Sequence, residues 1–469
     1  MINKLKIFSI FLILSIILAG CSLMPSSGSN SQNIEPITLQ FWGVFDSSDA
    51  YKDIITAYQT ARPNIKVEYK KLTWGEYQNS LLEAWAEDRG PDIFLIENDW
   101  AEKYKSKISP LPAKLKVPVI TTSGSFSKKT TVEIKEITSL TPEALKRNFV
   151  DAVYNDAVVE SQILGLPLSV DTLALFYNRA MLDASGVVEV PTTWQELIEA
   201  VPKITRQDTE GNIVRSAVAL GGSENILNSD SILSLLMMQN GTQMVSNNGQ
   251  ISFDDPASYD SSIYPGDRAL QFYADFGLPM KAVYTWNKDF PEAQDAFLQG
   301  KLAMMFGFAY QIPYLRAQGP ALDFGIAPML HINKDGTDAV LGQGVNVANY
   351  WMLTASKKTK HINEAWDFIL FATTSGFKND SGATEFQAEK YLKSTNKPPA
   401  LRTLINKYSE DPLLEPFVSQ VLTAKNWYHG KNPEHMALIF NQMINNLLSG
   451  SKSAREAIRF GAGAVQSTY

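Results

Sequence analysis

The sequence predicts an α/β protein organised around two cores, on three observations. The chain has 469 residues, more than one hydrophobic core of ordinary size organises. Its first folded stretch reads strand, helix, strand, helix, strand, the order of a mostly parallel sheet covered on both faces. Its composition is globular, because 45% hydrophobic against 19% charged residues supplies core without the charge excess of a disordered chain.

The elements follow in chain order. Lys4 and Lys6 precede an apolar run from Ile7 to Ala19, which as a helix spans about 20 Å and falls short of a hydrocarbon core of roughly 30 Å. Residues 1–20 therefore read as a secretory signal. The polar, Ser-rich stretch through residue 35 reads as a flexible tether. Ile37 to Trp42 is a strand, Gly43 to Asp49 a loop, and Ala50 to Ala61 a helix with Tyr51, Ile54, Ile55 and Tyr58 at helical spacing, stopped by Pro63-Asn64. Ile65 to Tyr69, Trp74 to Trp85 and Asp92 to Ile96 complete the unit. In such sheets ligands bind beyond the carboxyl ends of the strands, so Gly43 to Asp49 and Glu97 to Trp100 are the loops of interest.

Leu111 to Thr138 turns Lys- and Ser/Thr-rich and reads as a surface excursion. Thr141-Pro142-Glu143 opens a helix. Ile163 to Tyr177 reads as two strands interrupted at Pro167 to Asp171, and Thr193 with Glu196 forms a capping box. Asp208 to Asn212 and Asn333 to Asp338 read as hairpin tips. A helix from Pro291 to Gln299 leads through Gly300 into the strand Leu302 to Phe306, and the last hundred or so residues are mainly helical.

Several function classes are disfavoured. With 42 Lys+Arg against 49 Asp+Glu, a formal charge of −7 gives no grip on phosphate backbones, so no nucleic acid partner is expected. The single cysteine, Cys21, excludes an internal disulfide, and the four histidines, spread over His331, His361, His429 and His435, provide no tight metal-ligand cluster. No G-x-S-x-G, Walker A, H-E-x-x-H or EF-hand pattern occurs. The expectation is neither cofactor nor metal, and no enzymatic step.

Five segments, in order, resemble the extracellular solute-binding proteins of ABC importers, in the maltose-binding-protein-like group that carries mainly sugars. They are Phe41-Trp42-Gly43; Gly90-Pro91-Asp92-Ile93; Gly165-Leu166-Pro167 through Tyr177-Asn178-Arg179; Ala296-Phe297-Leu298-Gln299-Gly300-Lys301-Leu302-Ala303-Met304-Met305; and His361 to Phe371 with Glu364-Ala365-Trp366-Asp367-Phe368. The likeness runs from Ile37 to the C-terminus. Leu18-Ala19-Gly20-Cys21 resembles a bacterial lipobox, which implies lipidation at Cys21 and a lipid-anchored protein on the extracytoplasmic face of the cell membrane.

The resemblance implies a two-lobed periplasmic-binding-protein-like fold of type II, each lobe a mostly parallel sheet flanked by helices, with a hinged cleft between. The expected division is 36–169 plus 327–373 in lobe one and 170–326 plus 374–469 in lobe two. Pro167 and Pro328 are expected to flank the hinge. The implied function is capture of a small solute, a mono- or oligosaccharide, and delivery to ABC permease subunits by a monomer.

A sugar offers C–H faces to flat rings and hydroxyls to acids and amides. On that chemistry and the resemblance the candidate ligand residues are Asp171, with a strand-end cap as the alternative; Asp99, beside Glu97, with a helix N-cap as the alternative; Tyr310, in Gly307-Phe308-Ala309-Tyr310 where the family usually has Asn-Gly-x-Trp; and Trp427, with core packing as the alternative. Phe45, Asp46, Trp100, Gly222, Trp286 and Trp351 are further candidates. Gly344, in Gly342-Gln343-Gly344, would allow close backbone approach or simply end a hairpin. Two rival readings stand beside capture: a surface glycosidase using Asp99 and Asp171 as paired carboxylates, and a sensory or adhesive lipoprotein that docks a receptor.

Overall fold

The computed structural model describes residues 35–123, 129–332, 344–379 and 381–469. The signal segment, Cys21, the tether up to residue 34, the expected hairpin tip at 333–338, and Gly342 and Gln343 lie outside the described residues. Among the described residues no helix is long and apolar enough to cross a membrane.

The strand-helix-strand-helix-strand unit forms as expected, within a sheet that is half parallel and half antiparallel. Strand Ile37–Val44 pairs in parallel with Ile65–Leu72, from Ile37 opposite Ile65 to Val44 opposite Leu72, and on its other side with Ile93–Glu97. Helix Ser48–Ala61 is the first crossover and buries Tyr51, Ile54 and Tyr58, one helical stripe. Pro63 ends it by forcing Arg62 out of the helical region, to φ −133° and ψ 71°. The second crossover, Trp74–Ala86, buries Tyr77, Leu81, Ala84 and Trp85. Two late strands complete the sheet: Trp351–Ala355 runs antiparallel to Ile93–Glu97, and Leu166–Pro167 pairs antiparallel with Trp351–Ala355.

The second sheet has the order Arg206–Gln207, Ile213–Val218, Leu302–Gly307, Ala174–Asn178, Phe324–Pro328. Leu302–Gly307 is buried throughout, as a strand covered on both faces must be. This sheet is mixed, not mostly parallel: only Ile213–Val218 with Leu302–Gly307 pairs in parallel, and the other three pairings are antiparallel. The cause is connectivity, since Ala174–Asn178 enters from the other lobe and inserts head-down between Leu302–Gly307 and Phe324–Pro328. Helices Trp194–Ile204, Arg179–Ala184 and Ala293–Leu298 pack on it, and Ser229–Gln239, Pro265–Asp275, Pro433–Leu448 and Ala454–Gln466 pack on one another in the same lobe. The Thr193 and Glu196 capping box is formed.

Between the sheets lies a third, of three short strands, one from each segment that passes between lobes: Ala424–Lys425, Asn346–Asn349 and Asp171–Thr172. Buried amides join them. Asn346 Nδ2 donates to Leu173 O at 2.9 Å and to Gln420 Oε1 at 2.7 Å, while Thr172 Oγ1 donates to Phe417 O at 3.1 Å. Pro167 and Pro328 each end a strand of their own sheet just before the chain passes over.

Packing moves one expected boundary. The chain after residue 374, assigned to lobe two from sequence, stays with the first sheet: helix Ala388–Thr395 packs on Ser48–Ala61, and Arg402–Tyr408 on Pro142–Asn148. A partly buried ion pair holds it there, Lys397 Nζ lying 2.8 Å from Asp46 Oδ1, with Tyr391 beside Tyr51 at 5.4 Å between ring centroids. The chain returns to the second lobe only through Glu415–Val418 and Ala424–Lys425. The excursion at 111–138 is an antiparallel ribbon of Lys114–Ser123 and Lys129–Thr138. It is fastened at its base, where Leu115 and Val117 are buried and the Lys116 amide donates to Asn363 Oδ1 at 3.1 Å.

Candidate functional site

The carboxyl ends of the parallel strands in the first sheet carry four aromatic rings from four separate segments. Phe45 ends the first strand in a left-handed turn, φ 62°, and its ring is 56% exposed. Trp74, the first residue of its helix, is 45% exposed. The two rings stack at 5.6 Å with 19° between planes. Trp100 stacks beneath Trp74 at 5.7 Å, and Trp351 meets Phe45, Trp74 and Trp100 edge-on at 5.8, 5.9 and 5.3 Å. Offset and edge-on pairs of this kind are favourable, so the outer rings rest on a rigid base. Trp100 itself is 1% exposed and supports the ledge without forming its surface.

Acids stand beside the rings. Glu97, the last residue of its strand, accepts from Asn349 Nδ2 at 2.9 Å. Burial, with repulsion from Glu434 and Asp230, pushes its carboxyl up to about 7. Asp99 is raised well above the usual carboxylate range by burial and by the charges of Glu97, Glu434 and Asp156. Its Oδ1 is buried and, among the described residues, has no hydrogen-bond partner. From the second lobe come Asp230, raised by burial, and Tyr310, which is 40% exposed and lies parallel to Phe308 at 5.8 Å. Desolvation of the Tyr310 hydroxyl, with the charges of Asp171, Glu97 and Asp230, pushes it up to about 12. The charges of Glu97 in the first lobe and Asp230 in the second thus both bear on the Tyr310 phenol.

Asp171 occupies the hinge, and both of its oxygens are engaged. Oδ1 accepts from the Ala309 and Thr172 amides at 3.0 and 2.9 Å, and Oδ2 from the Tyr310 amide at 3.2 Å. Burial pushes its carboxyl up to about 7 against those three donors. It therefore fixes the turn that presents Tyr310. Asp46 is likewise committed, to Lys397 Nζ and to the Tyr391 hydroxyl at 2.7 Å, and so anchors the loop that carries Phe45.

Trp427 is half-buried in the second lobe against Phe253 and Phe440, with Nε1 donating to Ser234 Oγ at 3.1 Å, so core packing, the alternative reading, describes its surroundings. Gly344 is exposed with φ 80°, and the nearest atom to an added Cβ would be Thr423 Cγ2 at 3.5 Å. Trp286 and Gly222 belong to the core of the second lobe. Trp286 is 0% exposed and its Nε1 donates to Asn225 Oδ1 at 2.8 Å, while a Cβ on Gly222 would meet that indole at 2.9 Å.

Sequence reasoning missed Trp74, Asp230 and Asn349. Trp74 had a signal: a large ring directly after the cap Thr73 extends the Tyr77, Leu81, Ala84, Trp85 stripe beyond the core it covers. Asp156, also missed, is fully buried and accepts from the Tyr350 hydroxyl at 2.5 Å and Asn98 Nδ2 at 3.2 Å, with His429 Nε2 at 2.9 Å. It ties the loop before Asp99 to two of the crossing segments. Burial opposes protonation of His429, but the Asp156 carboxylate prevails and raises it.

Aromatic faces with carboxyls able to donate or accept suit a ligand rich in hydroxyls. Among the described residues no group of His, Cys, Asp and Glu is placed to hold a metal.

Residues 45–378 match the family described as bacterial extracellular solute-binding protein. The multiple sugar-binding protein of Streptococcus mutans is 23% identical over 379 residues, covering 80% of this chain and 79% of that one. Among solved structures, the cyclic alpha-maltosyl-1,6-maltose binding protein from Arthrobacter globiformis superposes with a TM-score of 0.69 at 17% identity, covering 92% of this chain and 99% of that one. A solute-binding protein from Thermotoga lettingae bound with alpha-D-tagatose gives 0.64 at 18% identity, covering 92% and 99%. These structures share the two-lobed α/β fold.

Proposed function

The chain belongs to the bacterial extracellular solute-binding proteins, and from that premise we propose that it captures a mono- or oligosaccharide between its lobes and hands it unaltered to the permease of an ABC importer. The observation that carries this reading is the exposed ledge of Phe45 and Trp74 beside Glu97 and Asp99, with Tyr310 and Asp230 on the opposite lobe. Ring faces hold sugar C–H faces, the acids take the hydroxyls, and domain interfaces are favoured places for such sites. The names of the relatives support the sugar class. Cys21, once lipidated, would keep the body beside the membrane and the permease.

Capture and release need no chemical step, only tighter binding to the closed form than to the open one. The glycosidase alternative pairs Asp99 with Asp171, and the engagement of both Asp171 oxygens with backbone amides favours capture over hydrolysis. A thermal-shift screen over mono- and oligosaccharides tests the proposal. One sugar at a hundred times its dissociation constant should add about 2.7 kcal/mol of stability and be recovered intact. A screen without any stabilising sugar, or cleavage of the one that binds, refutes it.

A further inference from the structure

Helix Pro433–Leu448 belongs to the second lobe, where it packs on Ser229–Gln239, Pro265–Asp275 and Ala454–Gln466. Its first turn nevertheless reaches the first lobe. Glu434 Oε1 accepts from Gln78 Nε2 at 2.8 Å and pairs with the Lys103 ammonium. Lys103 Nζ also donates to Gln78 Oε1 at 2.7 Å, and the Tyr104 hydroxyl donates to the same oxygen at 3.2 Å. Gln78 therefore uses both ends of its amide, and the three side chains close a ring of bonds.

Two features suit this ring to a task between lobes. Lys103 also has holds within its own lobe, its ammonium lying 4.8 Å over the Trp100 ring and bonding Gln78 Oε1, which limits the side-chain freedom that pairing removes. Glu434 sits in the first turn of its helix, where a negative charge is favoured. That turn does not need the contact: Pro433 occupies its first position and the Asn432 side chain caps it, accepting from the His435 amide at 3.2 Å. The ring forms only while the end of this helix lies against Trp74–Ala86 and Ala101–Tyr104 of the other lobe.

The geometry points to an interlobe clasp in which Lys103, Gln78 and Glu434 draw the two lobes together before any solute is present. They are positioning residues that set the balance between open and closed forms, and with it the share of ligand affinity that goes into closure. The consequence for affinity rests on the capture reading, whereas the clasp itself is measured without ligand.

The test uses the full chain carrying Cys21→Ser, so that the only thiols are those introduced for a donor and acceptor dye at Lys52→Cys on the first lobe and Lys203→Cys on the second. The dye-pair distance is followed without sugar from low to high sodium chloride. The parent should open as salt rises, because partly exposed ion pairs are screened. Lys103→Met and Glu434→Gln should each shift the balance roughly three- to tenfold toward the open form at low salt and lose the salt response. The double variant should open no further than either single one, the mark of a shared interaction. Single variants as closed as the parent, or a double variant whose shift is the sum of the two, overturn the clasp and leave the sugar proposal untouched. A failed sugar screen with this pattern intact overturns only the proposed ligand.

Discussion

Trp74→Ala is expected to weaken binding of the sugar found by the stability screen at least about thirtyfold, roughly 2 kcal/mol, the scale of an aromatic hot spot. Trp74 is the middle ring of the stack, between Phe45 and Trp100. Its loss removes one platform and takes the support from another, so it should cost more than Phe45→Ala. The fold should survive, because the buried face of the helix is carried by Tyr77, Leu81, Ala84 and Trp85. Calorimetric titration reads the effect, and Trp74→Phe should recover part of it. Unchanged affinity in Trp74→Ala would move the site away from the ledge.

Asp171→Ala is expected to cost about 3–5 kcal/mol of folding stability, as truncation of a buried, multiply bonded carboxylate does. The amides of Thr172, Ala309 and Tyr310 all lose their acceptor, and the hinge strand loses its hold on the turn that bears Tyr310. Asp171→Asn retains one carbonyl oxygen and should fall between. Chemical denaturation measures this. An Asp171→Ala protein as stable as the parent would mean that the carboxylate serves the ligand and not the hinge.

The parallel unit at the start was legible because its signals are local: a helical stripe at Tyr51, Ile54 and Tyr58, a stop at Pro63, and a continuous apolar strand at Ile93 to Ile96. The place of residues 374–408 was not legible. It depends on Asp46 meeting Lys397 and on Tyr51 meeting Tyr391, contacts between distant segments that no periodicity encodes. The same holds for the site. Phe45 stood out because it follows the first strand, and Asp99 because it follows the third. Trp74 reads in sequence as the opening of a helix, and only the fold brings it against Phe45, Trp100 and Trp351. Residue type alone did not separate acids that face the cleft from acids that hold the frame. Asp171 and Glu97 both follow apolar strand residues, yet one is consumed by backbone amides and the other keeps a single side-chain partner.

Small-angle X-ray scattering of the protein with and without its saturating sugar, followed by analysis of the recovered sugar, tests the central claim most directly. The account predicts a smaller radius of gyration in the bound state, a larger contraction in Glu434→Gln because that variant starts more open, and sugar returned unchanged. A radius that does not move with bound sugar in either protein, or a sugar returned in pieces, would contradict it.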